Sequence, residues 1–540
     1  MWKRTRFERF LEIIPGTLSL VVISMPIVLS LVWPAALVVF IILYDFYWLS
    51  KSIMMGGHLI SAHFYMNYEK HVNWVDKLES LNDLKRLKKD LLFRLTRRLK
   101  SFRRNILKDE LATLDDLIKN PKKIIKPKDL YQAVLYTTYK EPFDVLYKSI
   151  AAVADSDYPN DQIILVLATE DRAGEEAQVI AKKLKKEFAG VFNDFLITTH
   201  PDGIVGELKG KGANAHFAGL QMKKYFDNRK IDYERVVVSI FDADTRPSHS
   251  YFSALAYKYL LHPDRIWHSY QPIPLYSNNI WQVPAIVRVV AFGSSFWQLM
   301  ESTRPYRLIN FSSQSMSFKT AVLIDFWDQH IVSEDSRTYY RVFFKHHGQH
   351  TVIPLFTPVY MDAVYDDNSW QTLKNQYLQK RRWAWGVEHF PYLVTESLKN
   401  KTIPFIKKWG LVLRLLESQV SWASAALILA LGIWWPFLLS PYFKTTILSF
   451  SLPYLAQILL SMTWIGLIIS GWASISLLPN RPPKMSRLQT VVVFISWVLT
   501  PISGIIFGAI PALDAQMHLL TGRYMGFWVT PKKLTKGENV

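Results

Sequence analysis

The residues with the clearest chemical potential are Asp242 and Asp244, which close the run Val236-Val237-Val238-Ser239-Ile240-Phe241. Consecutive β-branched and aromatic residues, bounded by Pro247, predict a fully buried strand. In an open α/β sheet, ligands bind beyond the carboxyl ends of such strands. Two carboxylates there are placed to hold a hard cation and a phosphate. A polar turn capping a helix from near Ser248 would use the same residues, so the pair needs company. Four further stretches supply it: Thr137-Thr138-Tyr139-Lys140-Glu141-Pro142, Ala168-Thr169-Glu170-Asp171, Lys209-Gly210-Lys211-Gly212-Ala213-Asn214-Ala215, and Ser333-Glu334-Asp335 with Gln379-Lys380-Arg381-Arg382-Trp383 downstream. Backbone amides and lysines of the Gly-Lys loop suit phosphate. Each stretch alone has a plain reading as a cap, turn or core aromatic. That reading must hold independently at all five places, whereas one shared pocket explains them together.

Such a pocket needs a sheet. Strand-like runs at Ala133–Thr137, Ile163–Leu167, Phe195–Thr199 and Val236–Asp242 alternate with helical patterns after Pro142, around Glu175–Phe188 and around Ala213–Tyr225. The alternation predicts an α/β domain over residues 129–398, its sheet mostly parallel with helices on both faces.

The flanks are of another kind. Half of the 540 residues are hydrophobic, yet the formal net charge is +19. That suits a membrane protein with basic cytoplasmic faces. The charge borders apolar spans, where it meets anionic lipid, so no nucleic-acid partner is expected. Cysteine is absent, which excludes disulfides and thiol chemistry. Residues 1–50 carry an apolar stretch, Gly16–Leu49, longer than the roughly 20 residues one crossing needs. Basic residues on both sides predict a transmembrane hairpin turning near Trp33, the alternative being one long tilted helix with the N-terminus outside; the stretch is too long for a cleavable signal peptide and lacks a clear small-residue cleavage site. Residues 51–128 form a basic amphipathic helical linker, its leucines recurring from Leu78 to Leu99 among arginines and lysines. Two compatible readings of these helices are open: they lie on anionic lipid, or their leucine stripe packs on the next domain. Residues 399–521 hold apolar spans near Gln419–Leu439 and Leu455–Leu478, a basic loop at Asn480–Lys484, and a segment, Thr490–Leu513, broken by Pro501 and Gly504. The break predicts a short hairpin or re-entrant element there. A basic tail follows over residues 522–540.

The set of stretches resembles the membrane-embedded family 2 glycosyltransferases, the cellulose, chitin and hyaluronan synthases. Asp242-Ala243-Asp244 is similar to their metal-binding Asp-x-Asp, Ser333-Glu334-Asp335 to their Thr/Ser-Glu-Asp, and Gln379–Trp383 to Gln-x-x-Arg-Trp. Phe527-Trp528-Val529-Thr530-Pro531-Lys532 is similar to the Phe-x-Val-Thr-x-Lys gating segment of cellulose synthases. The linker helices have no counterpart in the resemblance, and the membrane region is smaller than that of cellulose synthase.

The resemblance implies a GT-A (nucleotide-diphospho-sugar transferase) domain between N- and C-terminal transmembrane helices, in the plasma (inner) membrane with the catalytic domain cytoplasmic. It implies an inverting transferase that moves a sugar from a nucleotide-diphospho-sugar, UDP-linked, to a growing β-linked polysaccharide. Asp335 would be the general base, and Asp242 and Asp244 would hold a divalent metal, Mg or Mn. Thr138, Glu141, Glu170, Lys211, Asp242 and Lys532 would bind the nucleotide. Gln379, Arg382 and Trp383 would meet the acceptor and diphosphate, with Trp383 stacking on a sugar ring. Phe527, Val529, Thr530 and Lys532 would form the gating-like segment. Arg381 is expected as an ordinary exposed cation. Phe311–Ser315 and Gln271-Pro272 either approach a saccharide or form plain turns. His216, His249, His268, His346, His347 and His350 lack metal-ligand spacing, and His346 marks a helix end. Two other readings stay open: a non-processive transferase acting on a lipid-linked or envelope acceptor, and an inactive membrane scaffold. Any export partner is left unspecified.

Overall fold

The computed structural model describes residues 4–531 apart from 99, 442, 481, 483–485 and 487. The chain begins with two apolar helices, α1 (Arg6–Val32) and α2 (Pro34–Lys70). Thr5 and Glu8 cap α1 reciprocally, side chain to backbone in both directions, which satisfies two amides otherwise unpaired at a helix start. Trp33 separates the helices, and Pro34 opens α2 where its missing N–H costs nothing. The break thus falls at the expected turn, but α2 does not stop near residue 50. It continues 37 residues in all, and beyond residue 50 its Ser52 and Gly56 lie against Gly466 and Ile469 of a later helix.

Three shorter helices follow, α3 (Trp74–Ser80), α4 (Leu84–Thr96) and α5 (Ser101–Lys119). The long amphipathic pattern from Trp74 is broken at Asn82-Asp83, where Asp83 caps α4 through its side chain. Of the leucine pattern, Leu99 lies outside the described residues.

The α/β region is built on one eight-stranded mixed sheet in the order β3-β2-β1-β4-β7-β6-β8-β5. The strands are β1 (Tyr131–Thr137), β2 (Ile163–Glu170), β3 (Asp194–His200), β4 (Val236–Asp242), β5 (Arg246–Pro247), β6 (His268–Leu275), β7 (Ser315–Ser317) and β8 (Thr351–Tyr360). The first four run parallel, as the alternation predicts. The short β7 is antiparallel to both β4 and β6, a reversal the alternation did not signal because three residues are too few to show periodicity. The helices of this region are α6 (Phe143–Ala154), α7 (Glu175–Glu187), α8 (Lys211–Asn228), α9 (Tyr251–Leu261), α10 (Ala285–Ser302), α11 (Phe318–Leu323), α12 (Glu334–Lys345), α13 (Ser369–Ala384) and α14 (His389–Lys399). Leu78, Leu81, Leu87 and Leu91 share one buried cluster with α9 and the sheet. The reading of the leucine stripe as packing on the domain is observed.

The chain closes with α15 (Phe405–Leu431), α16 (Trp435–Leu439), α17 (Ile447–Met462), α18 (Trp464–Ser476), α19 (Leu488–Ile495), α20 (Thr500–Gly504) and α21 (Ile510–Thr521). The hairpin expected within Thr490–Leu513 is not formed. A 3₁₀ turn at Ser496–Leu499 and a π turn at Ile505–Ala509 carry one helical run from Leu488 to Thr521. Changes of pitch of this kind accommodate prolines without ending a helix. From Ser496 onward the run packs along α10 and α13. Arg9 of α1 donates to the carbonyls of Leu519 and Leu520 at its end, a cation on the free carbonyls of a helix C-terminus. Among the described residues, five helical runs are long and apolar enough to cross a membrane: Arg6–Val32, Pro34–Lys70, Phe405–Leu439, Ser449–Ser476 and Leu488–Thr521.

Candidate active site

The sheet register sets the site. Thr137 of β1 lies beside Ala168 of β2 and Asp242 of β4, so three of the sequence stretches leave the sheet at one edge. Helix α8 starts in front of them. Asn214 in its first turn donates to the Ala168 carbonyl at 2.8 Å, fastening the helix to the strand ends. Gly212 lies against the Asp328 backbone: a Cβ there would stand 2.4 Å from the carbonyl oxygen. Only glycine allows this approach, and the approach aims Lys211 inward.

Lys211 is the hub. Its Nζ lies 2.8 Å from Asp242 Oδ1 and 3.4 Å from both Glu334 Oε1 and Asp335 Oδ1. Burial alone would lower the Lys211 pKa; Asp242, Asp335 and Glu334 around it reverse that and hold it above the ordinary value. Burial also raises Glu334, to about 8, helped by the neighbouring Asp335 charge. Asp335 is raised by burial as well, with Lys211 opposing. Both acids open α12, where the helix dipole favours negative charge. Ser312 donates to Asp242 Oδ2 at 2.6 Å and Gln314 to the Asp335 carbonyl at 3.3 Å. Gln271 is spent on the backbone of Phe311 and Ser312. It props that loop, and the loop serves Asp242.

The nucleotide-side candidates are braced by their own loops. Thr138 Oγ1 and the Tyr139 amide both donate to Glu141 Oε2 at 2.7 Å. Glu170 is held by Arg172 at 2.5 and 3.1 Å, and the Arg172 guanidinium lies over the Tyr139 ring, 4.5 Å from its centroid.

On the other side, α13 presents Gln379, Arg382 and Trp383. Gln379 is buried and accepts from Gln376. Trp383 lies 5.9 Å from the Tyr276 ring. The Lys380 ammonium sits over the Trp383 indole at 4.4 Å and donates to Ser294; burial pushes its pKa down to about 7. Arg381 is not a free surface cation: it pairs with Asp514 of α21 at 3.1 Å, where Tyr377 also donates. The reason is the final helix, which covers α13. Arg382 lies over the Phe527 ring at 4.9 Å, and Phe527 in turn rests on Gly210, whose added Cβ would meet it at 2.7 Å. Val529 is half-buried and Thr530 buried. The tail therefore lies back over the Gly-Lys loop. Lys532 lies outside the described residues.

Several contributors carried no sequence signal. Glu388 accepts from the amides of Val332 and Ser333 at 3.2 and 3.0 Å and from the Trp385 indole, and so holds the turn that delivers Glu334 and Asp335. Tyr276 is half-buried, and desolvation with the nearby Asp242, Asp244 and Asp335 charges raises its hydroxyl pKa while Arg382 opposes. Asp362 gives its amide to Asp244 Oδ2 at 2.9 Å. Single glutamate, tyrosine and aspartate residues have no spacing to betray them. The histidines stay outside the cluster: His216 faces the Trp327 carbonyl, His350 faces Ser269 and Trp267, and His346 ends α12.

Among the described residues no group of three or more His, Asp or Glu side chains is arranged to hold a metal ion. A hard divalent ion in a phosphate site takes one or two carboxylates and completes its shell from phosphate and water. Asp242 and Asp244 offer that oxygen donor set, and the gathering of an ammonium among the acids shows the locus favours positive charge. The residues fit the group.

No protein-family model matches the sequence, and no curated protein matches it. Among solved structures, the mannosyltransferase PcManGT from Pyrobaculum calidifontis, in complex with GDP-Man and Mn2+, aligns over 72% of this chain and 94% of its own at 14% identity and TM-score 0.36. S. aureus TarS 1-349 in complex with UDP-GlcNAc aligns over 76% and 98% at 12% identity and TM-score 0.34.

Proposed function

We propose that the chain is a membrane-bound inverting glycosyltransferase of GT-A type, which transfers a sugar from a nucleotide-diphospho-sugar to a growing β-linked polysaccharide. The observation that carries the reading is the single ammonium of Lys211 shared by Asp242 and by the Glu334-Asp335 pair. Residues far apart in sequence meet at Lys211, and Arg382 lies close enough for its charge to act on Glu334 and Asp335.

Each residue then has a task. Asp242 and Asp244 would hold a divalent ion, which when bound supplies Lewis-acid stabilisation to the departing diphosphate. Lys211 and Arg382 add fixed positive charge to that end of the cleft. The acceptor hydroxyl attacks the anomeric carbon, the carbon–oxygen bond to the diphosphate breaks, and the hydroxyl proton passes to Asp335. A carboxylate whose pKa is raised by burial is the better base near neutrality. Attack opposite the leaving group inverts the centre, so an α-linked donor gives a β-linked product. Trp383, steadied by Tyr276 and Lys380, offers its remaining surface to the acceptor ring. Thr138, Glu141 and Glu170 shape the wall for the base and ribose.

The helix packing supports an even number of crossings. On this reading Leu488–Thr521, which packs on α10 and α13 as well as on the apolar helices α1 and α15, does not cross, and its end meets the start of α1 through Arg9. That leaves four apolar runs to cross, with the domain and both basic ends on the cytoplasmic side.

The test is purified protein with a panel of labelled nucleotide sugars and divalent ions, followed by product sizing. A β-linked product is expected from the wild type, and none from Asp335→Asn, which retains nucleotide binding. Turnover by Asp335→Asn would remove the proposed base. A single-addition product would place the chain with the non-processive transferases, a reading favoured by the small number of crossing helices.

A further inference from the structure

We infer that the connection between α4 and α5 is a docking tip for anionic phospholipid headgroups of the membrane that holds the apolar helices. Residues 91–108 contain no carboxylate. Arg94, Arg97, Arg98, Lys100, Arg103 and Arg104 are all exposed there. Arg94 pairs with Asp90 at 2.8 Å; among the described residues none of the other five has a carboxylate partner. Beside them Leu92 and Phe93 are 47% and 56% exposed, on the face of α4 opposite the buried Leu87 and Leu91. Arg97 lies 4.8 Å from the centroid of the Phe93 ring. Two large apolar side chains side by side among cations without carboxylate partners match the headgroup layer, which accepts both.

The fold sets the tip at the matching level. Phe102 touches the rings of Phe64, Tyr65 and Tyr68 of α2 at 5.9 to 6.4 Å. Phe64 itself is 49% exposed. The adjacent His63 meets Trp472 and Ser476 of α18, at the end of the apolar run Ser449–Ser476. The tip thus stands where two apolar helices end. Aromatic rings and unpaired cations at that level match a leaflet carrying negative lipid. The helices that carry the tip are bound to the α/β domain: Tyr257 of α9 donates to Glu110 of α5, and Glu69 of α2 is held by Lys258 and the Phe356 amide. Headgroup contact would therefore fix the tilt of the whole domain against the bilayer.

The inference rests on the membrane reading of the helices, not on the transfer chemistry. The cysteine-free chain allows one label, on Ser101→Cys, with an environment-sensitive dye. The full chain is placed in nanodiscs of phosphatidylcholine alone or with phosphatidylglycerol. A blue shift and shielding from aqueous iodide are expected only with phosphatidylglycerol, reversed by high salt. A second chain carrying Arg97→Glu and Arg98→Glu should need substantially more anionic lipid for the same shift, each removed cation weakening contact roughly fivefold. Equal emission in both disc types overturns the inference while leaving the membrane reading intact. A shift caused by added RNA or an acidic protein in phosphatidylcholine discs also overturns it, in favour of a soluble partner. Failure to enter discs at all would sink the membrane reading itself.

Discussion

Glu334→Gln tests the proton count of the site. Glu334 is 2% exposed, and its carboxyl lies 3.4 Å from the Lys211 ammonium. Three carboxylates surround one lysine, and burial with the Asp335 charge lifts Glu334 from 4.5 to about 8. At neutral pH the proton on Glu334 leaves Asp335 free to be the charged member of the pair. The unfolded chain releases that proton near 4.5. Between pH 4.5 and 8 the folded protein therefore binds a proton that the unfolded chain has lost, so this group's contribution to stability falls as pH rises, then levels above 8. At about 1.36 kcal/mol per pH unit, the loss from pH 5.5 to 7.5 is on the order of 3 kcal/mol. Glutamine keeps the shape of the neutral acid and cannot ionise, so the variant should lack this slope. With about 2 °C per kcal/mol for a domain of a few hundred residues, Glu334→Gln should gain roughly 6 °C on the wild type across that range. Melts followed by tryptophan fluorescence in detergent at pH 5.5, 6.5 and 7.5 measure it. Under the proposed chemistry its turnover at pH 7 stays within roughly tenfold, since the native residue is already neutral there. Parallel pH curves for the two proteins would refute the argument by showing Glu334 ionised in the fold.

Asp244→Ala should abolish stimulation by divalent ions; activity unchanged in chelator would refute the metal assignment. Gly212→Ala forces a methyl to within 2.4 Å of the Asp328 carbonyl, and should lower the melting temperature by several degrees, as overpacking costs about 1–3 kcal/mol. Trp383→Ala should impair transfer to the acceptor more than hydrolysis of the donor, read from paired assays; equal loss would argue against ring stacking.

How much of this was legible in the sequence varies with the physical cause. The parallel strands and the helices between them were readable because β1, β2 and β4 are buried on both faces and their composition says so. The meeting of Asp242 with Asp335, 93 positions apart, follows from no local rule; it was expected because one pocket explains the five stretches together and because of the resemblance. The antiparallel β7 was not readable, nor was the continuous helix at Leu488–Thr521. There the local signal of proline and glycine was real, but packing along α10 and α13 outweighed it, and two changes of helical pitch absorbed it. Arg381 was misread for the same reason: its partner Asp514 lies 133 residues away.

Helix α13 shows why Gln-x-x-Arg-Trp is more than a list of contacts. Successive residues of a helix point about 100° apart, and here each direction meets a different body. Lys380 turns toward Ser294 of α10 and the indole of Trp383. Arg381 turns to Asp514 on the final apolar run. Arg382 turns to Phe527, which covers the Gly210 loop that delivers Lys211. Just beyond the helix end, Glu388 grips the amides ahead of Glu334 and Asp335. Any rotation of α13 must therefore move the acceptor platform, the tail over the Gly-Lys loop and the proposed base together. Loss of Asp514, which touches none of the reacting groups, should accordingly raise the KM for acceptor while leaving donor binding unchanged. Kinetics of Asp514→Asn with Arg381 intact decide this, and an unaltered acceptor KM would show that α13 is held by the α/β domain alone.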